Sequence, residues 1–122
     1  MWQVGKSFRR ETNDGASASK LRFNEFYQAE WQCIYREDTK ANVRGHVLPL
    51  VASCIGRQCH ASDLKIVDSD RLPDYSESTL DVEVPFQGKW KEIASVSIRK
   101  DFPLPGHKVL EIAVGMDRII ST

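Results

Sequence analysis

Residues 21–36 alternate between two kinds of side chain, and this alternation constrains the fold more than any other feature of the chain. The odd positions are mostly apolar, whereas the even positions include a cation, an aromatic ring, an amide and a carboxylate: Arg22, Phe26, Gln28 and Glu30. Because successive strand side chains point to opposite faces, the pattern predicts a β-strand with one core face and one polar face. A solvated face would rarely hold Phe26, so we interpret the polar face as the floor of a pocket.

Other alternating stretches predict more strands of the same sheet. Residues 2–11 alternate and reach the strand at 21–36 through a small polar loop, which predicts a long antiparallel hairpin. The same period of two predicts strands at residues 79–86, 90–99 and 108–115. A loop too long for a tight turn, such as the one at 12–20, is often functional.

Helical periodicity predicts one main helix, capped by Asp38 or Thr39 and running to about Arg57. Pro49 lies inside this stretch, and its ring would clash with the carbonyl of Gly45. We therefore expect either a kink in the helix or a late start.

A short second helix is predicted from residue 116 onward, and residues 62–78 are expected to be irregular. The strands and helices together predict an α+β fold, an antiparallel β-sheet flanked by helices. The length is that of one domain, so residues 1–122 are expected to form a single domain, complete or partial.

Composition limits the classes of function. The 17 basic and 17 acidic residues balance, so bulk attraction to nucleic acid or to a membrane is not expected. No apolar run is long enough to span a membrane, and the chain begins on a strand pattern instead of a signal peptide. These features favour a cytoplasmic protein without a membrane partner.

The cysteines favour reduced thiols over a metal site. There are three of them, an odd count, and Cys33 lies on the core parity of its strand. Cys54, Cys59 and His60 could suggest zinc, but no second ligand pair follows at a zinc spacing. Buried free thiols are therefore the preferred interpretation.

Residues 109–115 repeat the two-faced pattern. One face is apolar, and the other carries small residues, among them Ala113 and Gly115, around the single acid Glu111. Small side chains leave room above a sheet, and a carboxylate there favours a cation. The alternative is an edge strand with a solvated Glu111.

The polar positions suit chemistry that depends on positioning and electrostatics. Arginine forks bind phosphate oxygens, Phe26 offers a flat surface for a base, and a magnesium ion on phosphates takes one or two carboxylates such as Glu92. The chain has no glycine-rich phosphate loop, HExxH or GxSxG, and no evident nucleophile or histidine base. Nucleotidyl transfer is a reaction that needs neither. The polar set is Arg9, Glu11, Arg22, Phe26, Gln28, Glu30, Glu92, Glu111 and Arg118.

Two segments of the chain read FRRE at 8–11 and LRFNEFYQAE at 21–30. Together they resemble the second signature motif of class II aminoacyl-tRNA synthetases, which is roughly F-R-x-E, a loop, then R-x-x-x-F. Gly5-Lys6-Ser7 and Ala29-Glu30 match the extended version of glycyl-tRNA synthetases. The stretch 109–118 is similar to the third motif, with the same spacing from Glu111 to Arg118. The resemblance spans nearly the whole chain, from the second motif to the third.

The resemblance implies ATP and Mg²⁺ as cofactors and assigns roles to residues. Arg9 and Arg118 would be the catalytic residues, Glu11 would read the adenine amine, and Phe26 would stack on adenine. The full implied ATP-binding set is Arg9, Arg10, Glu11, Arg22, Phe23, Phe26, Glu92, Ile93 and Arg118, with Glu92 also a metal ligand. The implied amino-acid pocket is Gln28, Glu30, Glu111, Ile112 and Ala113.

Departures from the glycyl pattern leave the amino acid open between glycine and another small one. This chain has Ile112-Ala113 where glycyl enzymes have Pro-Ser, and Gln32 where they have a second acid. Seryl enzymes carry Glu-x-x-Ser at the place of Glu92 and Ser95. Strict alternation puts those two on opposite faces, so a shared metal would require a β-bulge between them.

The resemblance therefore implies ATP-dependent activation of an amino acid and its transfer to a tRNA acceptor end. The family's first motif, which serves dimerisation, has no counterpart in the chain, so a homodimer is expected only if that motif exists in a longer chain. The alternatives are a non-catalytic paralogue that acts as a binding or accessory module, and aminoacylation of a carrier protein.

Overall fold

The computed structural model describes residues 1–8, 25–60, 63–69, 72, 74–101 and 103–121. In this part of the chain, one six-stranded sheet has the order β1-β2-β6-β5-β4-β3, and every neighbouring pair is antiparallel. The strands are β1 Trp2–Phe8, β2 Glu25–Arg36, β3 Lys65–Asp68, β4 Ser76–Phe86, β5 Lys89–Arg99 and β6 His107–Gly115. The helices are α1 Val43–Gln58 and α2 Met116–Ser121.

The hairpin of β1 and β2 confirms the prediction from alternation. Trp2 is paired with Trp31 and Phe8 with Glu25, so the pairing covers the whole of β1. On its other side β2 pairs with β6, with Gln28 opposite Gly115. The strand that carries Glu111 is therefore central in the sheet, and the alternative of a solvated edge strand is wrong.

The β4–β5 hairpin contains the irregularity that matters most for the site. Val82 is paired with Ala94, but the next residue, Glu83, is paired with Glu92, so Ile93 is an extra residue on β5. Ile93 and Ala94 are both 2% exposed and belong to the same core cluster. A β-bulge of this kind reverses the alternation beyond it. It therefore moves Glu92 off the core face.

Helix α1 begins at Val43, later than predicted, but Gly45 and Pro49 both lie inside it, so the late start does not keep Pro49 out of the helix interior. Asn42 caps the helix by accepting a hydrogen bond from the backbone N–H of Gly45 at 2.9 Å, and Asp38 and Thr39 lie before it. The predicted cap was therefore wrong by a few residues. Pro49 lies inside the helix, with Gly45 one turn before it.

The core lies between α1 and the sheet. Val51 and Ile55 of α1 are buried against apolar residues from the central strands. The sheet contributes Val82, Val84, Ile93, Ala94, Val96, Leu110 and Ile112 to this cluster. We call this side of the sheet the core face and the opposite side the polar face.

Two further predictions from the sequence were wrong. Residues 65–68 form the short strand β3 within a segment expected to be irregular; four residues are too few to produce a clear period of two. Cys33 lies on the core face as predicted from parity, yet it is exposed, because α1 does not extend over this part of β2.

Candidate functional site

The polar face carries most of the predicted site residues that the structure describes. The even positions of β2 alternate with the core positions, and the register places Glu30 opposite Ala113 and Gln32 opposite Glu111. On β5, Ser95 is opposite Ala113 and Ser97 opposite Glu111. The described polar face thus includes Phe26, Gln28, Glu30 and Gln32 of β2, Ser95 and Ser97 of β5, and Glu111, Ala113 and Gly115 of β6.

The β-bulge at Ile93 places Glu92 on the polar face together with Ser95. This is the arrangement that a metal shared by the two side chains would require. Arg118 of α2 reaches the same strand, because its Nη1 donates a hydrogen bond to the carbonyl oxygen of Glu92 at 2.5 Å. The side chain of Arg118 passes over Gly115, where an added Cβ would lie 3.7 Å from Arg118 Cδ. A small residue at position 115 therefore leaves space for the side chain of Arg118.

Phe26 lies at the same end of the sheet. It is partly buried on β2, two residues before Gln28, which is opposite Gly115 at the end of β6. The carboxylate of Asp117 accepts a hydrogen bond from the backbone N–H of Tyr27, which ties the first turn of α2 to β2. Phe26 of β2, Glu92 of β5 and Arg118 of α2 consequently lie at the same end of the polar face, around the end of β6.

The acidic residues near Glu92 fit a magnesium ion that is held mainly by phosphates. Glu83 is the cross-strand partner of Glu92, and Lys65 forms an ion pair with Glu83 at 3.7 Å. Within the described ranges, no three His, Cys, Asp or Glu side chains cluster as a metal site. Mg²⁺ commonly takes one or two protein carboxylates and fills its remaining positions with phosphate oxygens and water. Glu92 suits that role, and a metal bound by protein alone is not supported.

Glu111 is held by two partners on the polar face. Its Oε2 accepts hydrogen bonds from Nη1 of Arg99 and, at 2.9 Å, from Nε2 of Gln32. Only 9% of its side chain is exposed, and the ion pair with Arg99 compensates the buried charge.

Arg99 also binds Asp101, through Nε at 2.9 Å and Nη2 at 2.6 Å, and lies over the ring of Tyr75. The hydrogen bonds that Arg99 donates to Asp101 and Glu111 raise the pKa of Arg99, and the Arg99 guanidinium lowers the pKa of Asp101. Burial, then the charge of Glu111, raises the pKa of Tyr75. The guanidinium is therefore a permanent cation at the centre of this cluster.

Comparison with known proteins shows which proteins this chain is similar to. No protein-family model matches it. The glycine–tRNA ligase of Macrococcus caseolyticus is 32% identical over 108 residues, covering 86% of this chain and 23% of the relative. The glycine–tRNA ligase of Mycoplasmopsis synoviae is 26% identical over 142 residues, covering 97% of this chain and 31% of the relative. The chain thus spans less than a third of the length of these curated relatives.

Two solved structures share the fold. Seryl-tRNA synthetase from Pyrococcus horikoshii, complexed with ATP, superposes on 98% of this chain and 31% of its own, with a TM-score of 0.77 and 18% identity. M. kandleri SerRS in complex with A. aeolicus tRNASec superposes on 99% of this chain and 29% of its own, with a TM-score of 0.72 and 16% identity. The chain is a class II aminoacyl-tRNA synthetase core homologue.

The described part of this class II core includes nine of the fourteen predicted site residues. Arg9, Arg10, Glu11, Arg22 and Phe23 lie outside the described residues. Phe26, Glu92 and Arg118 gather at one end of the polar face, and Gln28, Glu30, Glu111 and Ala113 line its middle. Ile93 is a core residue, so only its backbone can face a ligand.

One residue of the predicted amino-acid pocket was assigned wrongly. Ile112 is 7% exposed and belongs to the core cluster, on the face opposite its neighbours Glu111 and Ala113. The reason is the period of two in a strand, which cannot place three consecutive side chains in one pocket.

The class II core also contains positioning residues that the sequence did not indicate. Gln3 of β1 donates a hydrogen bond from Nε2 to Oε2 of Glu30 at 2.7 Å. Arg99 and Gln32 hold Glu111, and Asp117 holds β2. Gln3 and Gln32 could have been found from register once β1, β2 and β6 were aligned.

The remaining expectations concern cysteines and membranes. Cys54 is exposed and Cys59 is buried, and among the described residues neither belongs to a group of three His, Cys, Asp or Glu side chains that could hold a metal ion. No helix in the described ranges is long and apolar enough to cross a membrane.

Proposed function

We propose that this chain binds ATP–magnesium on the polar face of its sheet and activates a small amino acid as the aminoacyl-adenylate for transfer to tRNA. The observation that carries the proposal is the gathering of Phe26, Glu92 and Arg118 at one end of that face. An aromatic ring, a carboxylate and a guanidinium are the groups that a base, a magnesium ion and phosphates require.

In the proposed reaction, the carboxylate oxygen of the amino acid attacks the α-phosphorus of ATP, and pyrophosphate leaves with the electrons of the broken P–O bond. Arg118 would stabilise negative charge on the nucleotide, and Phe26 would hold the adenine by stacking. Glu92 would hold the magnesium ion, which would neutralise phosphate charge when bound. Such a reaction depends on positioning and on fixed charges. Arg9 would act with Arg118 from the segment outside the described residues.

The middle of the polar face would receive the amino acid. Glu30 and Glu111 could accept hydrogen bonds from an ammonium group, and the small side chain of Ala113, opposite Glu30, would leave room for the substrate above the sheet. Among the described residues, both hydrogen bonds to Glu111 end on Oε2, so Oε1 is the oxygen that a substrate could engage.

The relatives support ATP and tRNA as ligands. The matched relatives are glycine–tRNA ligases, and the matched seryl-tRNA synthetase structures include one complexed with ATP and one in a complex with tRNASec. The segment 12–20, which lies outside the described residues, would meet the tRNA acceptor end.

Isothermal titration with ATP–magnesium tests the binding step. We expect a saturable heat for the wild type, and about tenfold or more weaker binding for Phe26→Ala and for Arg118→Ala, since each removes a stacking or charged contact. Arg57→Ala is the matched control, because Arg57 binds Ser53 within α1 and lies away from the polar face. No heat for the wild type, or equal affinities for all variants, would reject the proposal.

The second candidate function is a non-catalytic binding module, and a specific observation favours it. The core face of β1 and β2 exposes large aromatic side chains, Trp2 and Trp31, which are typical of an association surface. Pyrophosphate exchange with each of the twenty amino acids separates the two candidates. Exchange dependent on any amino acid supports the enzyme, and ATP binding without exchange supports the module. Subsequent labelling of tRNA or of carrier protein would identify the acceptor.

A further inference from the structure

The end of the polar face that lies farthest from Arg118 carries an aromatic ring, that of Tyr75. The polar positions of β6 run from Gly115, beside Arg118, to Glu111, and the next polar position on the neighbouring strand β5 is Arg99. The Cζ atom of Arg99 lies 4.3 Å from the centroid of the Tyr75 ring. Because the same guanidinium is bonded to Glu111, the ring lies on the polar side of the sheet, next to that acid.

The Tyr75 ring is fixed at its base as well as on its face. The carbonyl oxygen of Tyr75 accepts a hydrogen bond from the backbone N–H of Lys100 at 2.8 Å. The next residue, Ser76, is 0% exposed, and its hydroxyl is 2.8 Å from that of Thr79, which is 2.9 Å from that of Ser97. A ring held by its backbone, by a buried hydroxyl chain and by a cation forms a rigid wall.

Exposure falls along the polar face toward Tyr75. Ser95 and Ala113 face each other on β5 and β6 and are partly exposed. Ser97 and Glu111, the next facing pair toward Tyr75, are only 3% and 7% exposed. The face is therefore accessible in its middle and covered at the Tyr75 end, which we call the closed end.

The phenol of Tyr75 lies within electrostatic range of both acids of the predicted amino-acid pocket. Burial raises the pKa of Tyr75, the charges of Glu111 and Glu30 raise it further, and the charge of Arg99 opposes them. Glu30 is on β2 and Glu111 on β6, so the Tyr75 side chain extends from β4 toward the middle of the sheet. It borders the space between the two acids.

We propose that Tyr75 is a specificity-determining residue of the amino-acid pocket, and that its ring limits the substrate to a side chain of at most about two non-hydrogen atoms, as in glycine, alanine and serine. The inference rests on the proposed function. Its new content is the substrate class and the residue that sets it.

The size limit follows from the order of groups along the polar face. The carboxylate of the amino acid must point toward the nucleotide end to reach the α-phosphorus, and its ammonium group would lie between Glu30 and Glu111. A side chain directed away from the nucleotide then points at Tyr75. Successive positions on one face of a strand are about 7 Å apart, and the ring occupies part of that distance. Only a short side chain fits in the remainder.

Binding of stable aminoacyl-adenylate analogues tests the proposal without requiring catalysis. The probes are 5′-O-(aminoacylsulfamoyl)adenosines that carry glycine, serine, valine or leucine, and isothermal titration gives their dissociation constants. We expect the wild type to bind the glycyl or the seryl analogue at least about 100-fold more tightly than the leucyl analogue, since each excess methylene at a rigid wall costs about tenfold or more. In Tyr75→Ala this ratio should fall below about tenfold. Tyr75→Phe should keep it, because the ring remains.

Tyr35→Ala is the matched control. Tyr35 is also a partly buried tyrosine, but it packs against the core cluster on the other face of the sheet. A loss of stability weakens binding of every analogue by the same factor, so the ratio isolates the pocket. A wild type without size preference, an unchanged ratio in Tyr75→Ala, or an equal fall in Tyr35→Ala would each overturn the proposal.

The ATP–magnesium titration separates this inference from the proposed function. Tyr75→Ala should bind ATP–magnesium like the wild type, because the closed end lies opposite the end that holds Phe26, Glu92 and Arg118. A wild type that binds neither ATP nor any analogue would reject both proposals. A wild type that binds both, with a ratio that Tyr75→Ala leaves unchanged, would reject only the role of Tyr75.

Discussion

The two halves of the sheet differ in what covers them and in what they carry. Strands β4, β5 and β6 pack under α1, and Val82 and Val96 there are fully buried at 0% exposure. Strands β1 and β2 leave Trp2 and Trp31 largely exposed and carry Phe26 and Glu30 on the opposite face. The comparison indicates that stability is concentrated in one half, while the other half keeps both of its faces for contacts with other molecules.

The largest expected effect tests this division with two apolar truncations. Leu110→Ala, at a position 1% exposed, should lower the free energy of unfolding by about 2–5 kcal/mol, since it leaves a cavity under α1. Val4→Ala, at a position 53% exposed on β1, should change it by less than about 0.5 kcal/mol. Urea denaturation measures both. Equal losses would contradict the division into a stable and an open half.

An intermediate effect is expected within the covered half, where Arg99 on β5 holds Glu111 on β6, the strand that borders β2. Arg99→Met should destabilise the chain by about 1–3 kcal/mol, because it leaves a mostly buried carboxylate without its cation. The double variant Arg99→Met/Glu111→Gln should lose less than the sum of the single variants. Urea denaturation of the complete double-mutant cycle checks the coupling; additive losses would show that the ion pair contributes nothing specific.

The smallest effect concerns pH. Arg99 lowers the pKa of Asp101 in the folded state, so this carboxylate stabilises the fold above its unfolded pKa of about 3.9, and the contribution is lost as pH falls through the folded-state value. We expect Asp101→Asn to be less stable than the wild type at pH 7 and to lose less stability on acidification below about pH 4. Urea midpoints between pH 7 and pH 2.5 measure this. Glu37→Gln, at another exposed acid, should follow the wild type, and an unchanged acid limb in Asp101→Asn would contradict the role assigned to the ion pair.

Much of the fold could be predicted from the sequence, because the strands are long and their period is clear. The β1–β2 hairpin, β4, β5, β6 and both helices all follow from apolar spacing. Strand β3 could not be predicted, since four residues rarely show a period. The exposure of Cys33 could not be predicted either, because parity assigns a residue to a face and does not say what covers that face.

The candidate site was predictable in part and for a different reason. The polar positions of β2 and β6 follow from alternation, but the position of Glu92 depends on a bulge that alternation alone would not produce. The resemblance to seryl enzymes indicated only that a metal shared by Glu92 and Ser95 would require such a bulge. At Ile112 three consecutive residues were carried over from the resemblance, although a strand with a period of two turns the middle one to the other face. Local pattern therefore predicted the direction of most side chains and did not predict the bulge at Ile93.

The hydrogen bond from the backbone N–H of Tyr27 to the carboxylate of Asp117 has a mechanical consequence. Phe26 precedes Tyr27 and Arg118 follows Asp117, so this hydrogen bond links the positions of Phe26 and Arg118, although about ninety residues separate them along the chain. Any tilt of the C-terminal helix must carry the ring-bearing end of the hairpin with it. In the proposed nucleotide site, the ring of Phe26 and the guanidinium of Arg118 would then move together and not independently of each other.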